Sequence, residues 1–317
     1  MKPPYKLTPK ILRLISTISI KLGEINANYL SRQSPRLRKE NRIKTIHSSL
    51  QIEGNTLSLD QITAIIENKK VSGPEKDIRE VLNAIHVYDN LHQYDPLSEK
   101  AFLKAHGSLM LGLIAHPGKY RTAGVGIVKG SQVKHIAPPA TNLKYLMNDL
   151  FKYLQRKDEL VLIKSCVFHY ELEFIHPFSD GNGRMGRLWQ TLILMHEYPV
   201  FEYLPFETLI RKEQKEYYTA LSKSDKSGSS TVFIEYMLNI IDNSLKNMLH
   251  YKSRIMTQSD RIDYYLSVEK KEFTRKDYMH VFKDISSATA SRDLEKAIQL
   301  KKITRVGFKN KTTYRVR

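Results

Sequence analysis

The chain has 317 residues, an ordinary apolar content of 41%, and 51 Lys/Arg against 33 Asp/Glu, a formal net charge of +18. That length allows one large domain or two with a substantial core, and the apolar content excludes a disordered chain. A single cysteine, Cys166, excludes internal disulfides and leads to the expectation of a reducing compartment. The first predicted helix begins at Thr8-Pro9, an N-cap followed by a residue suited to the first helical position. Its apolar residues Ile11, Leu14, Ile15, Ile18, Leu22 and Ile25 recur at helical spacing with Lys and Arg between them, which is not the pattern of a signal peptide. No apolar run approaches bilayer-spanning length, so the expectation is a soluble, cytoplasmic protein without membrane contact.

Residues 1 to about 250 read as mostly helical. "IHSSLQIEGNTLS" (46–58) ends a helix at Gly54-Asn55. Glu53 sits in the last turn, where a negative charge opposes the helix dipole, and Ser49 lies four residues before it on the same side. Ser58 and Gln61 form a capping-box pattern ahead of "LDQITAIIENKK", and Pro74 opens the next helix. "VGIVKGSQVKHIAPP" breaks the helical pattern: β-branched residues flank "KGSQ", which predicts a hairpin over 125–136 ended by Pro138 and Pro139. "LKYLMNDLFKYLQR" follows Asn142 with a stripe that includes Tyr145, Met147 and Phe151. "VLIKSCVFHYELEFI" is another helix, stopped by Pro177, with Cys166 read as a small core residue. "SKSDKSGSS" (222–230) reads as a loop between helices.

From about residue 257 the pattern changes. "SDRIDYYLS", "FTRKDYMHVF" capped by Thr274, and "SSATASRDLEKAIQLKK" capped by Ser286 or Ser287 read as three short helices. "ITRVGFKNKTTYRVR" reads as two strands around a turn. Residues 252–317 carry 17 Lys/Arg against 8 Asp/Glu, half of the chain's positive excess. Three helices and a hairpin resemble a small winged helix-turn-helix domain at 257–317. DNA would be its partner through the third helix, with Lys309 and Lys311 on phosphates. Protein docking and a merely solubilising basic surface are the alternatives.

The chemistry concentrates in "IHPFSDGNGRMGR" (175–187). Gly181-Asn182-Gly183 allows successive backbone N–H groups to converge on an anion. The helix starting there adds its own unpaired N–H groups. Arg184 and Arg187 at the positive end of a helix cost roughly 0.3–1 kcal/mol each, a penalty that a bound polyphosphate removes. Asp180 is a hard oxygen ligand suited to Mg²⁺ beside phosphates, and His176 has the pKa range to accept a hydroxyl proton. Phe178 would turn inward and anchor the loop. This is not a Walker A loop, and His169, Glu173 and His176 lack the H-E-x-x-H zinc spacing, so His169 reads as a core histidine.

"HPFSDGNGRMGR" resembles the signature of the Fic family, H-x-F-x-[DE]-G-N-G-R-x-x-R, at every specified position. "GKYRTAGVGIVKG…HIAPP" (118–139) is similar to the family's segment leading into its flap hairpin, and the likeness extends over most of residues 30–250. The resemblance implies a mainly α fold: a Fic-type helical domain with a β-hairpin flap in 1–252, then the winged helix. It also implies a Mg²⁺-dependent adenylyltransferase that moves AMP from ATP to a Ser, Thr or Tyr hydroxyl of a protein, itself included. His176 would be the base and Asp180 the metal ligand, with Asn182 on the α-phosphate. Gly181, Gly183, Arg184 and Arg187 would hold the other phosphates. Val125, Gly126, Ile127 and Val128 of the flap would align the target by strand addition. The intact Gly-Asn-Gly loop favours AMP transfer over the phosphorylation of the Doc-like kinases. "SLQIEG" matches the family's inhibitory pattern [ST]-x-x-x-E-[GN], which implies that Glu53 pairs with Arg187, supported by Ser49, within an inhibitory helix at about 44–54. AMP removal and homodimer formation also occur among such proteins. A DNA-binding regulator that uses the nucleotide site as a sensor is the alternative class.

Overall fold

A computed structural model describes residues 3–27, 35–124, 126–129, 132–255, 258–268, 272–282, 285–307 and 312–316. The chain divides into two compact units, Met1–Leu245 and Lys246–Arg317, against the 252/257 boundary read from the sequence. Val125 of the flap and Lys309 and Lys311 of the wing lie outside the described residues.

The first unit is helical. It opens with α1 (Pro9–Ala27), α2 (Pro35–Ile52), α3 (Leu59–Ile66), α4 (Glu75–Asp89) and α5 (Glu99–Leu109). A hairpin of β1 (Gly126–Lys129) and β2 (Gln132–Ile136) follows, antiparallel, with a register shift between Ile127 and Val128. Then come α6 (Leu143–Leu154), α7 (Val161–Ile175), α8 (Asn182–Glu197), α9 (Glu207–Lys212), α10 (Gln214–Ser227) and α11 (Thr231–Ile255), whose end runs into the second unit. No described helix is long and apolar enough to cross a membrane.

The local signals act as physical chemistry requires. The Thr8 hydroxyl accepts from the Ile11 N–H. Ser58 and Gln61 make both bonds of their capping box. α7 is buried almost all round and packs along α8, forming the centre of the unit. Gly186 permits this approach, because a Cβ there would stand 2.6 Å from the His169 ring. Phe102 of α5 lies in the middle of the core and touches Phe151, Phe168, Phe178 and Trp189, the last edge-on at 5.0 Å. Phe178 thus anchors the loop between α7 and α8, as its place in the motif predicts.

Three local readings need correction. Residues 222–227 are the end of α10, not loop, and the helix stops only at Gly228, with φ 59°. Ser224 is wholly buried there and its hydroxyl accepts from the Phe233 N–H, so polar residues that favour a loop instead face the start of α11. Tyr145 is exposed, while Tyr153 and Leu154 take the inward stripe of α6 beside Met147 and Phe151. The helix expected to reach 54 and carry Glu53 ends at Ile52, which leaves Glu53 in the turn just beyond.

The second unit contains α12 (Gln258–Val268), β3 (Glu272–Phe273), α13 (Arg275–Val281), α14 (Ser287–Gln299), β4 (Ile303–Val306) and β5 (Thr313–Val316). Its strands run in the order β3-β5-β4. Thr274 and Ser286 cap the second and third helices. β3 escaped the sequence reading because two residues carry no period. Asp293 on α14 is buried, takes a two-pronged bond from Arg261 at 2.6 and 2.9 Å, and accepts from the Tyr278 hydroxyl at 3.1 Å. One carboxylate therefore joins the three helices of this unit.

Phe102→Ala should destabilise the first unit by about 3–5 kcal/mol, because a ring with four aromatic neighbours leaves a cavity that cannot close. Urea unfolding followed by Trp189 fluorescence measures the loss.

Candidate active site

α7 ends at Ile175, and His176 then adopts φ 49°, with its N–H still bonded to the Leu172 carbonyl. A left-handed non-glycine residue costs roughly 1–2 kcal/mol. Pro177 contributes to the choice, since the residue before proline avoids the right-handed helical region. The result turns the chain out of α7 and leaves the imidazole on the loop, its Nδ1 3.4 Å from the Glu173 carbonyl.

The loop is closed by Asn182. Its side-chain amide accepts from the Phe178 N–H and donates to the Phe178 carbonyl, each at 3.0 Å. Both ends of the group assigned by resemblance to the α-phosphate are thus engaged in fixing the turn. Gly181 has φ 87°, and a Cβ there would meet Met110 Sδ at 2.8 Å. From Asn182 onward the first turn of α8 presents N–H groups with no intrahelical acceptor.

Arg184 and Arg187 leave this turn toward different carboxylates. Arg184 bonds Glu80 on α4 at 3.1 Å and Asp180 at 3.0 Å. Arg187 has no exposed surface; it bonds the Ser49 hydroxyl at 3.1 Å, the Ser49 carbonyl at 3.0 Å and Glu53 at 2.7 Å. Burial works against its charge, but Glu53, Tyr217 and Glu173 outweigh that and raise its pKa. Its Nη1 has no partner. A Cβ at Gly183 would lie 2.4 Å from Glu53 Oε1, so a side chain there would push that carboxylate aside. The structure brings together Ser49, Glu53, Asp180, Gly181, Asn182, Gly183, Arg184 and Arg187. Of the flap residues it gives the strand for Gly126, Ile127 and Val128.

Asp180 fits a divalent cation. Its carboxylate is about half exposed, with Oδ1 taken by Arg184 and the Gly181 N–H. Oδ2 faces no donor among the described residues. No cluster of three or more His, Cys, Asp or Glu that could hold a metal occurs among them, so such an ion would need phosphate and water oxygens to complete its shell.

Three contributors had no local signal strong enough for the sequence reading. His106 on α5 stacks on Phe178 at 3.5 Å; its Nε2 donates to the Asp180 carbonyl and its Nδ1 accepts from the Gly118 N–H. Burial pushes its pKa down to about 4, which matches a neutral ring in that tautomer. Glu80 shares the buried stripe of Val81, Ala84 and Val87, and a carboxylate on such a stripe was the available clue. Arg121 lies in the segment before the hairpin with no local feature that marks a role; its side chain bonds four backbone carbonyls around the loop. His169 is a core histidine as expected, between Gln190 and Tyr217, with burial holding it down at about 3.

The Fic/DOC family profile matches residues 96–194. The chain is similar along its entire length to a solved Fic family protein from Desulfovibrio desulfuricans G20, with 39% identity, 98% of that chain covered and a TM-score of 0.78. It belongs to the Fic family. Among curated Fic relatives, protein adenylyltransferase fic-1 of Caenorhabditis elegans is 28% identical over 76% of this chain and 48% of its own length. Protein adenylyltransferase Fic of Aedes aegypti is 30% identical over 66% of this chain and 42% of its own. The chain therefore spans less than half the length of these relatives. A solved C. elegans Fic-1 (residues 134–508) has the same fold at 22% identity and a TM-score of 0.64.

Because the folded His106 takes its proton only near pH 4 and an unfolded one near 6.5, the Fic unit loses stability as pH falls through that window. The slope is about 1.4 kcal/mol per pH unit for one such proton. Glu207, wholly buried with its carboxyl pushed up to about 8, slopes the other way between 4.5 and 8. The measurement is therefore the difference between parent and His106→Gln in urea titrations from pH 7 to 4. The variant, which keeps the donor to Asp180, should lack the His106 slope.

Proposed function

We propose that the chain transfers AMP from ATP to a hydroxyl of a protein side chain and that Glu53 holds this activity back. The carrying observation is Arg187, a fully buried guanidinium at the N-terminus of α8 with Glu53 on one nitrogen and nothing on Nη1. A triphosphate lying over the first turn of α8 would find unpaired N–H groups, Arg184 and the free donor of Arg187. His176 would take the proton of the attacking Ser, Thr or Tyr hydroxyl. That oxygen bonds to the α-phosphorus, the bond to the bridging oxygen breaks, and pyrophosphate leaves. Asp180 would hold Mg²⁺, which supplies charge neutralisation to the leaving phosphates. The relatives named protein adenylyltransferase support this reading.

Inhibition follows from competition for one cation. Glu53 Oε1 occupies the space next to Gly183 and a donor of Arg187 that the outer phosphate would use. While that carboxylate stays, ATP seats with its outer phosphate displaced and its α-phosphorus misaligned with the acceptor.

A second reading concerns the C-terminal unit, which we infer to be a winged helix that binds duplex DNA. α14 exposes Arg292 and Lys296, and Arg275 on α13 bonds Ser291 of α14. Electrophoretic mobility shifts over a salt series test this. Arg292→Glu should weaken binding and lower the salt slope by about one; equal affinity would leave the basic surface merely solubilising.

With α-labelled ATP and Mg²⁺, Glu53→Gly should place label on itself or on lysate proteins at a rate at least ten times that of the parent, and adding His176→Ala should abolish it. Label that persists without His176 would refute the chemistry, and label from γ-labelled ATP would indicate phosphorylation instead.

A further inference from the structure

Arg121 lies between α5 and β1, and only 7% of it is exposed. Its Nε donates to the His176 carbonyl at 2.8 Å and its Nη1 to the Ala123 carbonyl at 2.7 Å. Its Nη2 donates to the Pro138 carbonyl at 2.6 Å and to Ile175 at 3.3 Å. Its own backbone N–H reaches the Pro177 carbonyl at 2.9 Å. No carboxylate pairs with it among the described residues. This is an uncommon use of a buried cation, satisfied by carbonyl dipoles alone.

The identity of those carbonyls gives the arrangement its meaning. Ala123 stands three residues before β1 and Pro138 two residues after β2, so they mark the two feet of the hairpin. Ile175 and His176 carry the turn out of α7, with His176 in its left-handed conformation. We propose that Arg121 is a positioning residue for the transfer reaction, fastening both feet of the hairpin to the backbone of His176. The strand that aligns the acceptor and the base that deprotonates it then take their positions from one rigid fork. The proposal rests on the adenylyl-transfer reading above, since it assigns Arg121 a part in that reaction.

The physical argument is geometric. The His176 carbonyl belongs to the peptide plane next to its Cα, so rotating that plane moves the imidazole. A charge-assisted bond at 2.8 Å resists the rotation and holds a backbone conformation that sterics disfavour. The same guanidinium limits how far the hairpin can shift along the loop. A lysine cannot substitute, because its ammonium is a compact point donor while four carbonyls in different directions need a planar fork. Arg121 contacts neither the α8 N-terminus nor Arg187, so nucleotide affinity should not depend on it.

The test uses the full chain carrying Glu53→Gly, with α-labelled ATP and Mg²⁺. Arg121→Ala and Arg121→Lys should each lower the labelling rate at saturating ATP roughly 100-fold, the scale of an ångström-sized misalignment. The calorimetric ATP dissociation constant should stay within about threefold of the Glu53→Gly value, because transition-state alignment is lost rather than binding. Added guanidinium ion should recover part of the Arg121→Ala rate, and methylammonium should not. Unchanged labelling in both variants would overturn the proposal. So would ATP affinity falling in step with rate, or failure of both variants to fold, which would make Arg121 a residue of stability alone. If the Glu53→Gly chain itself labels nothing, the adenylyl-transfer reading fails and takes this one with it; label there and in the Arg121 variants alike removes only the positioning role.

Discussion

A guanidinium with no exposed surface must find its acceptors inside the protein, and Arg187 is that guanidinium. Desolvating an ion costs several kcal/mol even after relaxation, so the site exists only because something negative stands beside it. In this structure the negative group is Glu53, with Ser49 supplying two further acceptors. A phosphate could satisfy Arg187 equally well, since it too offers charged oxygen acceptors to a guanidinium.

The turn bearing Glu53 is held from two sides. On one, Asn55 bonds the Asp77 carbonyl and Glu80, and Thr56 bonds the Asp77 carboxylate through both its N–H and its hydroxyl. On the other, Ser48 meets Thr208, Arg211 reaches Gln51, and Gln214 donates to the Ile52 carbonyl. Glu80 connects the first set to the loop between α7 and α8, since its second oxygen accepts from Arg184. The segment bearing Glu53 is thus part of the packed fold. Freeing Arg187 requires only that the Glu53 carboxylate turn away, because the bonds at Asn55, Thr56 and Ile52 involve other groups.

The sequence was legible where local chemistry has a short range. The residues of 176–187 fold into one loop and the start of α8, and Glu53 stood out because its charge sits at the C-terminal end of a helix. Caps at Thr8, Ser58, Thr274 and Ser286 act over three residues and were visible for the same reason. What stayed hidden depends on distance along the chain. His106 acts on a residue 74 positions away and Arg121 on one 55 positions away. Nothing near either residue sets it apart from an ordinary polar side chain on a helix or loop. Ser224 misled for the converse reason: a string of serines and lysines reads as loop until the start of α11 gives one of the hydroxyls a donor.

The carboxylates around the two arginines differ in how readily they can yield. Glu80 is almost wholly buried and also accepts from Asn55, so it cannot turn to solvent and serves as the permanent counter-ion of Arg184. Asp180 is 49% exposed and has an oxygen to spare, which lets it serve a cation without abandoning Arg184. Glu53 lies between them at 29% exposure, held to the site mainly by Arg187 itself. For a polyphosphate to place its outer phosphate on Arg187, Glu53 would have to turn away, while Glu80 stays in place and Asp180 keeps an oxygen for a cation. Under the proposed function, one loop binds nucleotide in either state and only the position of its outer phosphate changes. The fixed charge at Glu80 explains how that is achieved without unfolding the site, since Arg184 keeps its orientation throughout and Arg187 alone changes partner.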